Sequence, residues 1–153
     1  MTSSAVINEM ALENVHAIAE SKKVAGYRYV QTLCVNTEDG IDLMHSFMKD
    51  DVMENYVVRG LQKTDVVPSI TDLYFSAFVF ENEVHDLFGV NIENIAIDFG
   101  GNFYAVSQKE PMTIISPAKK AAQEKAKKLA AAKAAKAAKD AGGAADAGAA
   151  DED

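Results

Sequence analysis

Only one cysteine occurs in the sequence, Cys34; no arginine follows Arg59, and no aromatic residue follows Ala118. A single thiol forms no internal disulfide and cannot by itself hold an iron–sulfur cluster or a structural zinc. That usage fits a reducing cytoplasm. No apolar run approaches the roughly 20 residues a membrane-spanning helix needs. The N-terminus also lacks the basic region and unbroken apolar core of a secretory signal. The expectation is a soluble chain that meets a membrane only through a partner.

What is present divides the 153 residues in two. Residues 1–117 carry 7 Lys and Arg against 17 Asp and Glu, a net of −10; residues 118–153 carry 8 against 6, a net of +2. The expected domains follow that boundary: a globular body over 1–117 and a low-complexity tail over 118–153. An acidic body disfavours nucleic acid as its partner, because phosphate recognition needs a basic surface. In the tail, 118–139 holds eight lysines, one glutamate and one leucine in an alanine background, so it predicts a solvated helix without an apolar stripe. The Gly- and Asp-rich 140–153 predicts disorder.

Hydrophobic spacing orders the body. Ile7, Ala11, Leu12, Val15, Ile18 and Ala19 predict a helix over 5–20, with Ser3 and Ser4 available as caps and Lys22 and Lys23 beyond its last turn. After Gly26 the period changes to two. Tyr27, Tyr29, Leu33 and Val35 predict one buried strand face, and Asn36 to Gly40 predict a hairpin turn. Ile41, Leu43, His45 and Phe47 share the face of the second strand. Asp50 and Asp51 mark a turn, and Tyr56 to Leu61 a third strand. Short strands are expected around Val90 to Ile92 and Ile95 to Ile97, with a turn at Gly100 to Asn102. The fold class expected is α+β, two-layer: a small, mostly antiparallel sheet with two helices on one face.

The most patterned stretch is 68–89. Ser69 with Asp72 spells a capping box after Pro68, and Gly89 a left-handed stop. Leu73, Ala77, Phe80, Val84 and Leu87 make one apolar stripe, so a helix over about 69–88 is predicted. Beside the stripe lie Glu81, Glu83, His85 and Asp86. A Glu and a His four residues apart could bind a divalent metal, but such a site needs three or four ligands, and no second Glu-x-x-His or His-x-x-x-His completes it. Paired carboxylates could act as acid and base, yet that chemistry needs a cleft. The plainer expectation is a polar helix face that pairs with a basic partner or faces water. His16, His45 and Cys34 read as structural residues, and Gly100-Gly101 as a turn.

The run Pro68-Ser69-Ile70-Thr71-Asp72, followed by Glu81-Asn82-Glu83-Val84-His85-Asp86-Leu87-Phe88-Gly89, resembles the signature of the 30-kilodalton subunit of respiratory complex I. That family reads Pro-Ser-x-Thr-Asp, then Glu-Arg-Glu-x-x-Asp-Leu-Phe-Gly, and the resemblance covers 5–105. Asn82 replaces the usual arginine and His85 a frequent aromatic. Phe75 stands where proline is common, which implies a helix that breaks there and runs on from about 76. The arginine-containing tract that follows the signature in quinone-reducing enzymes is missing. In that respect the chain is most similar to the small subunit of Ech-type energy-converting nickel–iron hydrogenases.

The resemblance implies a subunit with no cofactor of its own, in the cytoplasmic arm of a membrane-bound hydrogenase or NADH-quinone oxidoreductase complex. It would dock to the catalytic large subunit beside iron–sulfur subunits, with the nickel–iron and iron–sulfur centres in those partners. The docking surface expected is Glu81, Glu83, His85, Asp86, Phe88 and Gly89. Two alternatives come from other classes: a small metal-dependent enzyme using Glu81, Glu83, His85 and Asp86, and an adaptor whose basic tail binds an anionic partner.

Overall fold

A computed structural model describes residues 4–113; the predicted tail over 118–153 lies outside them. Ten elements follow in order. They are β1 (Ser4–Glu9), a 3-10 turn (Leu12–Asn14), α1 (Val15–Val24), β2 (Arg28–Asn36), β3 (Ile41–Lys49), β4 (Val52–Leu61), β5 (Val66–Pro68), α2 (Ala77–Phe88), β6 (Asn91–Glu93) and a 3-10 turn (Pro111–Thr113). Strands β1-β4-β3-β2 form one sheet in that order, with β1 parallel to β4 and the other pairs antiparallel. β5 and β6 form a separate parallel pair, joined through α2. The architecture is the expected α+β arrangement.

The β3 face is as the alternation predicts: Ile41, Leu43, His45 and Phe47 are all buried. Their neighbours across the sheet and from α1 and α2 make one apolar core with Val15, Ala19, Val58, Tyr74, Ala77 and Val84. Phe47 sits at its centre, with ring contacts to Tyr29, Tyr56 and Tyr74 at 5.6–6.2 Å. Full burial of a side chain of this size contributes about 2 kcal/mol. The β3–β4 turn places both Asp50 and Asp51 at positive φ, 49° and 63°, as a two-residue hairpin requires.

Expectations are corrected in three places: the N-terminal helix, the strands and the central helix. The N-terminal helix over 5–20 is a strand, a turn and then a later helix. Val6 and Ile7 belong to β1, whose backbone is satisfied by β4, with Ser4 opposite Val52. A distant pairing thus overrides a plausible helical period, and α1 is left with Val15 and Ala19 as its buried positions. Lys22 and Lys23, expected beyond the last turn of a helix over 5–20, lie within the last turn of α1. In β2 the register shifts between Tyr29 and Gln31. A one-residue bulge exchanges the two faces of a strand, so Thr32 and Cys34 point into the core and Val35 is exposed. β4 is longer than expected, and no strand forms at Ile95 to Ile97.

The third correction concerns α2. It begins at Ala77, close to the break at Phe75, and residues 71–76 form turns. Ser69 and Asp72 do not cap it. Ser69 bonds Glu81, and Asp72 meets His16 at 2.8 Å. The helix end is as read: Gly89 adopts φ 70°, ψ 28°, and its N–H donates to the His85 carbonyl.

Candidate functional site

α2 is covered on two sides. Its apolar side, with Ala77 and Val84 buried, lies on the sheet, and its polar side is buried under chain from 69–72 and 94–104. Glu81 is only 1% exposed. Its Oε2 accepts the Ser69 hydroxyl at 2.7 Å and its Oε1 the Ile70 N–H at 2.9 Å. Ser69 Oγ also accepts the Thr71 N–H and lies 2.7 Å from Thr71 Oγ1, which in turn accepts the Ala96 N–H at 2.9 Å. The two halves of the signature are therefore one hydrogen-bonded knot. Burial raises the Glu81 carboxyl above its ordinary value, against the lowering influence of the Ile70 and Ser69 donors.

Asn82, fully buried, extends the knot. Its Nδ2 donates to the carbonyls of Phe78 and Ile97, at 2.7 and 2.8 Å, and its Oδ1 accepts the Phe99 N–H at 2.9 Å. One amide so satisfies a carbonyl of α2 and two backbone groups of the non-helical segment beside it. Asp86 Oδ2 accepts the Tyr104 N–H at 2.8 Å, and Glu83 accepts the Tyr104 hydroxyl. Between them, Asn82, Glu83 and Asp86 hold residues 97–104 along the helix.

The six residues read from the sequence as a docking surface are thus divided. Glu81 and Asp86 face inward, whereas an accessible acidic face had been expected of them. Glu83, His85 and Phe88 are half-buried at the rim. Gly89 closes the helix where a side chain has no room: a Cβ there would lie 2.4 Å from Glu110 Cδ. Glu110 is itself ion-paired with Lys63. The His85 ring lies against Gly101, with its Nδ1 3.4 Å from Asp86 Oδ1. Neither of those two buried atoms has a hydrogen-bond partner among the described residues.

For metal or acid–base chemistry the arrangement is unfavourable, because the Glu81 carboxylate is bonded to Ser69 and Ile70, whereas those of Glu83 and Asp86 are both bonded to Tyr104. Among the described residues no three His, Cys, Asp or Glu side chains are grouped to hold a metal.

Sequence reading missed two polar clusters. Glu54 accepts from Lys22, Tyr27 and Tyr56 at 2.6–2.7 Å. The Lys22 ammonium also lies over both tyrosine rings, at 4.5 and 5.0 Å. These hydrogen bonds, the one from Lys22 foremost, hold the Glu54 carboxyl down at about 2. Deeper in the sheet, the Tyr29 hydroxyl donates to Thr32 Oγ1, which lies 2.8 Å from His45 Nδ1. Burial pulls His45 down to about 4, so it is neutral at physiological pH. Neither cluster leaves a sequence signal, since the first joins β4 to Lys22 of α1 and to Tyr27, and the second joins β2 to β3.

The fold and the knot define a two-layer α+β domain whose signature residues brace its principal helix. The chain belongs to the family described as the respiratory-chain NADH dehydrogenase 30 Kd subunit, which it matches over residues 5–96. It is 32% identical over 81 residues to an NADH-quinone oxidoreductase subunit of Ruegeria pomeroyi, a match that covers 47% of this chain. The match spans only 40% of that relative's length. Among solved structures, a chain of the membrane-bound sulfane sulfur reductase, an archaeal respiratory membrane complex, shares the fold. The TM-score is 0.57 at 17% identity, over 71% of this chain and 68% of the other. Among the described residues no helix is long and apolar enough to cross a membrane.

Proposed function

We propose that the chain is a structural subunit of a membrane-bound respiratory complex, docked in its cytoplasmic arm against a hydrogenase-like large subunit. The observation that carries this reading is the family match over residues 5–96. The knot agrees with it, because it supplies a braced helix rather than a reaction centre. Glu83, His85 and Phe88, at the rim of α2, are the parts of the expected docking surface that remain accessible. The chain holds no cofactor in this reading. Nickel–iron and iron–sulfur centres belong to the partner subunits, and contact with the inner face of the membrane is through them.

Within the family the reading favours the energy-converting hydrogenase branch, since no arginine follows Arg59. Purification of the tagged full chain from detergent-solubilised membranes of its source cells tests both levels. A stoichiometric large subunit is expected with it, and nickel in the purified complex. Recovery of the chain alone would overturn the subunit role. A large subunit without nickel and without paired Cys-x-x-Cys motifs would move it to the quinone-reducing branch.

A further inference from the structure

Among the described residues the aromatic side chains most open to water are Phe75 at 58%, Phe99 at 43% and Tyr104 at 41%. They belong to one strip. Phe75 and Phe78 are in ring contact at 5.3 Å as α2 begins, and Val79 is exposed on its first turn. Asn82 then joins the Phe78 carbonyl to Ile97 and Phe99. Phe99 contacts Phe103 at 5.1 Å, Phe103 contacts Tyr104 at 4.9 Å, and Tyr104 is tied to Glu83 and Asp86.

The buried amide and carboxylate hold the backbone of 97–104 against the helix, so its rings are presented outward in a fixed arrangement. Rigid aromatic side chains at the surface are what tight protein interfaces use as anchors, because little conformational freedom is lost when they are covered.

Charge selects the partner. From Ile70 to Gln108 the chain carries six acids and neither lysine nor arginine. Asp72, Glu93 and Asp98 of that stretch are exposed, and Glu83 is half-buried. A second copy of this chain would bring the same acids together. The lysine-rich segment 118–139 offers charge but only one leucine and no aromatic to meet the rings.

We infer that the strip from Phe75 through Phe99 to Tyr104 is the docking surface proper, and that it receives a partner subunit presenting apolar pockets edged by lysine or arginine. This rests on the proposed subunit role and relocates its contact from the acids of α2 to the aromatic residues beside them.

The test uses the complex isolated through its large subunit, from cells that carry this chain as wild type or variant. Phe75→Ser with Phe99→Ser should lower retention of the chain about tenfold or more. Val35→Ser, at an exposed position on β2, should leave it unchanged. Asp98→Lys, which removes no apolar contact, should lower retention and weaken its dependence on salt. The urea midpoint of each purified variant should equal the wild type's.

Retention of both the serine and lysine variants at the wild-type level would overturn the strip and leave the subunit role standing. Failure of the wild type itself to co-purify would overturn the role. Two results with the isolated chain would also overturn the inference. One is a dimer that Phe99→Ser dissolves, which makes a second copy the occupant. The other is a rise in hydroxyl-radical labelling of Phe75 and Phe99 on truncation after Pro117, which makes the tail the occupant.

Discussion

The Ser69 hydroxyl donates to Glu81 Oε2 at 2.7 Å across twelve residues of chain, and the carboxylate it meets is 1% exposed. This contact turns two sequence motifs into one structural device. It also explains why the helix starts at Ala77: the chain from Ser69 to Ser76 must fold back along α2 to reach Glu81.

Glu81→Ala should be among the most damaging single changes in the domain. It leaves the Ser69 hydroxyl and Ile70 N–H buried without an acceptor, and opens a cavity besides. A loss of about 3 kcal/mol in urea unfolding is expected, with Glu81→Gln milder because one amide oxygen still accepts. Equal losses for the two variants would show that packing, not the hydrogen bonds, holds the knot.

Lys22 and Glu54 stabilise the join between α1 and the sheet. Burial opposes the charge on Lys22, but the bonds to Glu54 and Tyr56 outweigh it and raise its pKa. The Glu54 carboxyl is lowered from 4.5 to about 2. Between those values the unfolded chain binds more protons than the native one, so stability should fall as pH drops from 4.5 towards 2. Glu54→Gln should flatten that part of the profile and cost about 2 kcal/mol at neutral pH. Parallel acid titrations of wild type and variant would contradict the assignment.

His45 acts in a higher window. Its ordinary value of 6.5 falls to about 4 in the folded chain. Unfolding therefore takes up a proton between those values, and the contribution present above pH 6.5 is lost as pH falls towards 4, amounting to at most about 3 kcal/mol. Chemical denaturation at a series of pH values should show this slope, reduced in His45→Gln. An unreduced slope would assign it to the carboxylates.

Gly89→Ala combines a left-handed backbone, φ 70°, with a Cβ placed 2.4 Å from Glu110 Cδ. The backbone alone costs about 1–2 kcal/mol, and displacement of Glu110 adds to it. Glu110→Ala should recover the second part and not the first, so a double-mutant cycle should give a favourable coupling. Strict additivity would remove the steric half of the argument.

Local physics made much of this protein legible from its residues. The β3 face from Ile41 to Phe47, the turns at Gly40 and Asp50-Asp51 and the stop at Gly89 each depend on a few neighbouring positions. Their side-chain alternation or backbone preference is intrinsic, and so is the placing of the signature on and beside α2.

Contacts between distant residues were not legible. Val6 and Ile7 suit a helix or a strand equally; pairing with β4, about fifty residues on, selected the strand. The bulge beside Val30 reversed the faces of β2, a slip that alternation cannot foresee. Most consequentially, Glu81 and Asp86 look like surface charges, because ionised groups stay in water unless partners are supplied. Those partners, Ser69 with Ile70 and the Tyr104 N–H, arrive only when the chain on either side folds over α2. The sequence alone determined the family signature and the acidity of the body. The tertiary structure decided which acids brace the helix and which aromatic residues face outward, since burial and hydrogen-bond partnership are properties of the folded chain.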